Sequence, residues 1–232
     1  MQNSSLPPNQ ITVVNGFQHL VQTELLGEMN AICWKRELLG DFEEIVSKIV
    51  LEENVTLIEE EQLLALQLSE EGNCAREIIL SDMRLLEAHG ADPNLNLIKS
   101  YDRDAQFPFF PTDVYSFHVD RSPIPLATFL CTYYGASSEL IANTDAQQKI
   151  LIPEIRQELR KIYDGEDQGF ETFLSEHFFD LHFEPKPNAA IHSFGLGNMW
   201  RLATDYPDSQ VLPCIHRAPL EKPGEYRLLL IC

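Results

Sequence analysis

No two cysteines in this chain of 232 residues stand in a CxxC spacing; the five present, Cys33, Cys74, Cys131, Cys214 and Cys232, are odd in number and widely scattered. Neither a disulfide framework nor a structural zinc knuckle is therefore expected, and a reducing, cytoplasmic setting suits the composition. Basic residues are scarce too: 17 Lys and Arg against 36 Asp and Glu give a formal charge of −19. Such a chain repels a phosphate backbone or an anionic bilayer, so nucleic acid and membrane are not expected partners. No apolar run reaches the ~18 residues that a membrane helix needs. Met1 to Gln10 is polar, without a basic region followed by an apolar one, so no secretory signal is expected. A glycine-rich phosphate loop, a GxGxxG fingerprint and a GxSxG elbow are also missing, which leaves nucleotide-binding and hydrolase readings without support.

What is present is 44% hydrophobic and long enough for one sizeable core, read here as a single domain over 1–232. Residues 1–110 read as mainly helical. In Asp41 to Glu53, Phe42, Ile45, Val46, Ile49 and Val50 recur at three- and four-residue steps behind Asp41 as a cap. Glu59 to Leu68 and Asn73 to His89 repeat the pattern, the latter stopped by Gly90. Beyond the proline- and aromatic-rich stretch Gln106 to Thr112, the apolar runs shorten and become β-branched and aromatic. Strands are expected at Val114–Val119, Leu126–Tyr134, Ser138–Ala142, Ala189–Phe194, Val211–His216 and Tyr226–Ile231. The intervening 144–186 reads as an insertion with helices at Pro153–Tyr163 and Gly169–Phe179. The whole predicts an α+β fold, a sandwich or jelly-roll barrel over 111–232 with the N-terminal helices packed outside.

Phe117-His118-Val119-Asp120 carries the sharpest chemical signal. On a strand, residues i and i+2 share a face, so His118 and Asp120 can converge on one ion. His216 closes a second apolar run 96 residues after Asp120, and Arg227 follows 11 residues later. Two histidines and a carboxylate bind one face of an octahedral iron and leave positions open for a bidentate 2-oxo acid and dioxygen. An arginine one hairpin on would meet the far carboxylate of that co-substrate. Thr132 and Tyr134 lie on one face of the next strand by alternation, and one of their hydroxyls could hydrogen-bond a carboxylate of that co-substrate.

The order of HxD, distal His and following Arg resembles the iron- and 2-oxoglutarate-dependent oxygenases of the double-stranded β-helix, a cupin-like jelly roll. A closer resemblance is to the bacterial family known as domain of unknown function 1826. It rests on Trp34-Lys35-Arg36, Phe117-His118-Val119-Asp120, Leu130-Cys131-Thr132-Tyr133-Tyr134-Gly135, Ser138-Glu139-Leu140, His216-Arg217-Ala218-Pro219 and Arg227-Leu228-Leu229-Leu230. Where that family carries a Thr-Glu-Trp-like stretch, this chain has Ser138-Glu139-Leu140. The resemblance implies Fe(II) on His118, Asp120 and His216, 2-oxoglutarate as co-substrate on Arg227, and oxidation of a small-molecule or side-chain substrate with release of succinate. A non-catalytic metal-binding or metal-homeostasis protein on the same barrel is the competing reading, because the same donors also hold zinc. An interaction protein on a degenerate barrel is a third.

Other residues carry less. His177 and His182 are five apart, a step that suits neither a helical nor a strand ligand pair, so a second metal site is not expected. His192 reads as a core histidine, and His19 and His89 as surface positions. Arg227 has an alternative in an ion pair with Glu221 or Glu225. Cys131 and Cys214 read as small hydrophobes. Trp34 and Trp200 read as core, with Trp200-Arg201 also a candidate to close over the pocket. The insertion is the expected lid or specificity element.

Overall fold

The computed structural model describes residues 7, 9–104 and 106–232, so the reading of Met1 to Gln10 falls largely outside it. The first part carries more helix than strand, as expected, but it also supplies four strands that the periodicity did not announce. Before residue 110, β1 (Ile11–Val14), β2 (Ala31–Trp34), β3 (Val55–Ile58) and β4 (Asn94–Ile98) alternate with α1 (Phe17–Gln22), α2 (Phe42–Lys48), α3 (Glu60–Ala65) and α4 (Glu70–Ala88). These strands are four or five residues long, too short for a period of two to stand out beside a 19-residue amphipathic helix. The helix starts are as the side chains dictate: Asp41 Oδ1 accepts from the Glu44 amide at 2.9 Å. Glu59 and Gln62 close a reciprocal capping box on α3.

The second part holds β5 (Phe117–His118), β6 (Ala127–Tyr134), β7 (Glu139–Ile141), β8 (Ala146–Gln148), α5 (Pro153–Ile162), α6 (Phe170–Glu176), β9 (His182–Pro185), β10 (Ile191–Ser193), β11 (Met199–Ala203), β12 (His216–Arg217) and β13 (Arg227–Ile231). The six expected strands are all represented, though Val211–Ile215 is irregular chain and only His216 of that run enters a strand. The insertion supplies two strands, β8 and β9, besides its helices.

Two sheets result, ordered β1-β2-β11-β6-β13-β4-β3 and β10-β7-β12-β5-β9-β8. All pairs are antiparallel apart from β1 with β2. From β4 onward the pairing nests: β4 lies on β13, β5 on β12, β6 on β11 and β7 on β10. The chain therefore runs as one long hairpin whose arms step between the sheets.

Alternation along the strands sorts the core. On β6, Phe129, Cys131 and Tyr133 join the cluster under the helices with Leu20, Ile45, Ile79 and Leu86. Leu130 instead faces the small sheet, packing with Trp200, Leu202, Leu229, Leu140, Phe194 and Cys214. The small sheet's outer face holds Phe117, Val119, Ile141 and Ile215. A period of two then turns His118, Asp120 and His216 inward. Trp200 is not a pocket closure: it is 1% exposed in the core between the sheets, with Nε1 donating to the Phe194 carbonyl at 2.9 Å. Arg201 points to the other face and holds the Val21 and Thr23 carbonyls at the end of α1, both at 3.0 Å.

Candidate metal centre

His118 and His216 stand directly opposite each other on β5 and β12, their ring centroids 4.7 Å apart. Asp120, two residues past His118, comes within 3.9 Å of His118 Nε2 and 3.6 Å of His216 Nε2. One ligand atom from each of the three lies within 4.8 Å of the others, a spacing that can hold one metal ion. The two imidazoles are oriented from behind. His118 Nδ1 donates to the Ser116 carbonyl at 2.8 Å and His216 Nδ1 to the Cys214 carbonyl at 3.2 Å. A carbonyl only accepts, so the proton sits on Nδ1 and the lone pair of each Nε2 faces the shared centre. Thr128, inward-facing on β6, donates its hydroxyl to Asp120 Oδ2 at 2.5 Å and fixes the carboxylate. The donor set and its supports fit a divalent ion.

Electrostatics agree with that orientation. Burial, followed by the nearby His216, pushes the His118 pKa down to about 4, so the ring is a neutral ligand at neutral pH. Burial acts to raise the Asp120 carboxyl, but His216, the Thr128 hydroxyl and His118 outweigh it and hold it below the ordinary range. Cys214 and Cys131, both fully buried, have thiols pushed up by desolvation and act as core atoms.

Arg227 is buried and, like Leu229 two residues on, faces the space between the sheets. One of its terminal nitrogens donates to Ser138 Oγ at 2.5 Å and lies 3.4 Å from Thr132 Oγ1. Its Nε has no acceptor, and among the described residues neither Glu221 nor Glu225 forms an ion pair with it; Glu221 pairs with Arg103 and Glu225 with Lys222. Burial lowers its pKa, opposed by Tyr101 and Glu221. Gly135 makes this approach possible: its φ is +84°, and a Cβ there would meet the Tyr226 carbonyl at 2.1 Å and Arg227 Cα at 3.0 Å. Thr132 is thus where alternation puts it. Tyr134 is not. The register slips between Leu228 and Leu229, which oppose Tyr134 and Thr132, and this bulge turns Tyr134 onto the helix-covered face beside Tyr133. There, burial and Glu43 raise its phenol pKa.

His118 and Asp120 open onto a cleft of about 360 Å³ lined also by Thr112, Asp113, Arg121, Phe178 and His182 among others, with His216 behind them. Arg227 lines a second, small cavity with Ile98, Tyr101, Glu221 and Tyr226. Arg121 is committed to Asp180 and Asp205, each at 2.7 Å, and so ties the insertion to the sheet. Phe178 sits at the lip in the left-handed region, φ 59°, and is 57% exposed. Thr128 and His182 are the residues that sequence reasoning missed. Thr128 lacked any motif. For His182 a signal existed, since Leu181-His182-Phe183 alternates inward and outward as a strand does. His177 and His182 do not pair: His177 Nδ1 donates to the Phe173 carbonyl on α6 at 2.9 Å. His192 is buried opposite Leu140.

No family model, no curated protein and no solved structure matches this chain. No described helix is long and apolar enough to cross a membrane.

Proposed function

We propose that the chain is a non-haem Fe(II)- and 2-oxoglutarate-dependent oxygenase on a jelly-roll barrel, in keeping with its resemblance to the family known as domain of unknown function 1826. The observation that carries this reading is the convergence of His118, Asp120 and His216, with both Nδ1 protons tied to backbone so that both Nε2 lone pairs meet the carboxylate. The nested strand pairing supports the fold, because one long hairpin wound across two sheets is how a jelly roll is built. Arg227 supports the co-substrate: a buried guanidinium with an orphaned Nε suits a carboxylate, and Thr132 and Ser138 hold the group in place. A bound metal with 2-oxoglutarate supplies the oxidising chemistry. This chain's own side chains hold and orient it, while Leu140, Phe194 and Cys214 keep the space beside His216 dry.

Purified protein supplied anaerobically with Fe(II) and ascorbate, then with 2-oxoglutarate and air, is expected to release succinate even without its substrate. Arg227→Ala should abolish 2-oxoglutarate binding and leave metal affinity within about twofold. One observation favours a metal-binding protein without that chemistry, namely that Arg227 lines one cavity and His118 and Asp120 another. Metal bound at the triad with no succinate and no 2-oxoglutarate affinity would select that second reading.

A further inference from the structure

Strand register lays a row of side chains across the inner face of the small sheet. Leu140 is opposite His216, His216 opposite His118, and His118 opposite His182. The β8–β9 ladder ends with Gln148 opposite Phe183, so its next step sets Lys149 beside His182. Neither His182 nor Lys149 is needed to grip a metal, yet both are taken from water, at 4% and 6% exposure.

Each is incompletely partnered. His182 Nδ1 is buried with no hydrogen bond, a state that is destabilising unless something supplies a partner. Lys149 Nζ donates to Ser116 Oγ at 2.7 Å and lies 5.1 Å from the centre of the Phe110 ring. An ammonium has three donors, and among the described residues this one forms no ion pair. A buried cation so placed lacks a counter-charge in contact with it. His182 lines the cleft with His118 and Asp120, its ring centroid 5.9 Å from that of His118.

We propose that His182 and Lys149 form a carboxylate subsite in the cleft, with His182 donating a hydrogen bond to a ligand lying against the His118–Asp120–His216 face and Lys149 supplying the charge behind it. The inference rests on the metal-site reading for its setting. Asp113 and Asp120 on the same walls select a small monoanionic group over a phosphate dianion by like-charge repulsion. The carboxylate has two possible sources, the chelating end of a 2-oxo acid or a free carboxylate on the substrate.

The test follows the ring nitrogens of ¹⁵N-histidine-labelled protein by NMR, His182 being assigned by the signal lost in His182→Asn. Zn(II) serves as the diamagnetic probe metal, and 2-oxoglutarate, acetate and inorganic phosphate are titrated in turn. The His182 signals are expected to shift saturably with carboxylate, and Lys149→Met to weaken that binding about tenfold with Zn(II) affinity unchanged. A response to 2-oxoglutarate alone assigns the chelating end; a response to acetate as well assigns a free carboxylate. His182 signals that stay still while those of His118 and His216 respond to 2-oxoglutarate would overturn the proposal, as would phosphate binding as well as acetate. If Zn(II) leaves His118 and His216 unmoved, the metal reading fails separately, and the acetate titration of metal-free protein decides the subsite. Should Lys149→Met not fold, as judged by circular dichroism, the wild-type titration decides between these outcomes by itself.

Discussion

Thr128 illustrates how a residue with no motif value can set the carboxylate of a candidate metal site. Its hydroxyl holds Asp120 Oδ2 at 2.5 Å while Asp120 faces two histidines. Without that bond the carboxylate regains rotamer freedom that metal binding must then remove. Thr128→Val, which keeps the shape and removes the hydroxyl, is expected to weaken Co(II) or Zn(II) binding roughly 10–100-fold. His216→Ala should lose the site altogether. Both are read by competitive titration against a chromophoric chelator, and Thr128→Val with wild-type affinity would remove the supporting role. The backbone carbonyls of Ser116 and Cys214 cannot be substituted in this way, since they act through position alone.

Among the elements, the junction of α2 and α4 makes a prediction in pH. Ser69, the N-cap of α4, donates its backbone N–H and hydroxyl to Glu44, which also receives Lys48 at 2.7 Å. Those bonds, led by that of Lys48, lower the Glu44 pKa to about 2. A carboxylate depressed on folding contributes stability above its unfolded pKa near 4.5, and that contribution is lost as pH falls toward 2. Glu44→Gln should therefore melt below wild type at pH 6, with the gap closing between pH 4.5 and pH 2; a gap that does not depend on pH in calorimetry would refute the linkage. The same scale shows what the sequence made legible. The expected α2 and α3 starts lie within a residue of the observed ones, and β6, β7 and β13 within one at either end, because caps and alternating β-branched runs are local signals. His118, Asp120 and His216 were legible because strand alternation aims them and only their pairing is long-range. The four short strands before Gln106 and the β9 strand within the insertion were not, since a four-residue segment becomes a strand only when a distant partner offers its edge. Tyr134 was misplaced for a related reason: alternation presumes an unbroken ladder, and the bulge opposite Leu228 and Leu229 breaks it.

Across the whole molecule, the helix layer and the candidate metal site lie on opposite faces of the large sheet, which separates the packing of the helices from the candidate site. Arg36, just beyond β2, forms a two-pronged ion pair with Asp82 of α4, and Asp82 also accepts the Tyr133 hydroxyl of β6 at 2.6 Å. Arg36 Nε adds a bond to the Gly197 carbonyl at 2.6 Å. The side chains are 11% and 3% exposed, so this network joins a strand, two loops and the longest helix inside the fold. Removing one partner of a buried pair leaves the other charge uncompensated and costs about 3–5 kcal/mol, whereas replacing both with apolar groups is often close to neutral. Asp82→Ala is therefore expected to lose that amount in urea unfolding followed by Trp34 and Trp200 fluorescence. Arg36→Met with Asp82→Leu should recover much of it. Because Tyr133 and Cys131 face the helices while Thr128 and Thr132 face the site, neither variant should change metal affinity measured on folded protein. A loss below about 1 kcal/mol for Asp82→Ala, or a matching loss of metal affinity, would mean that the two faces of the sheet are not independent in the way their alternating side chains require.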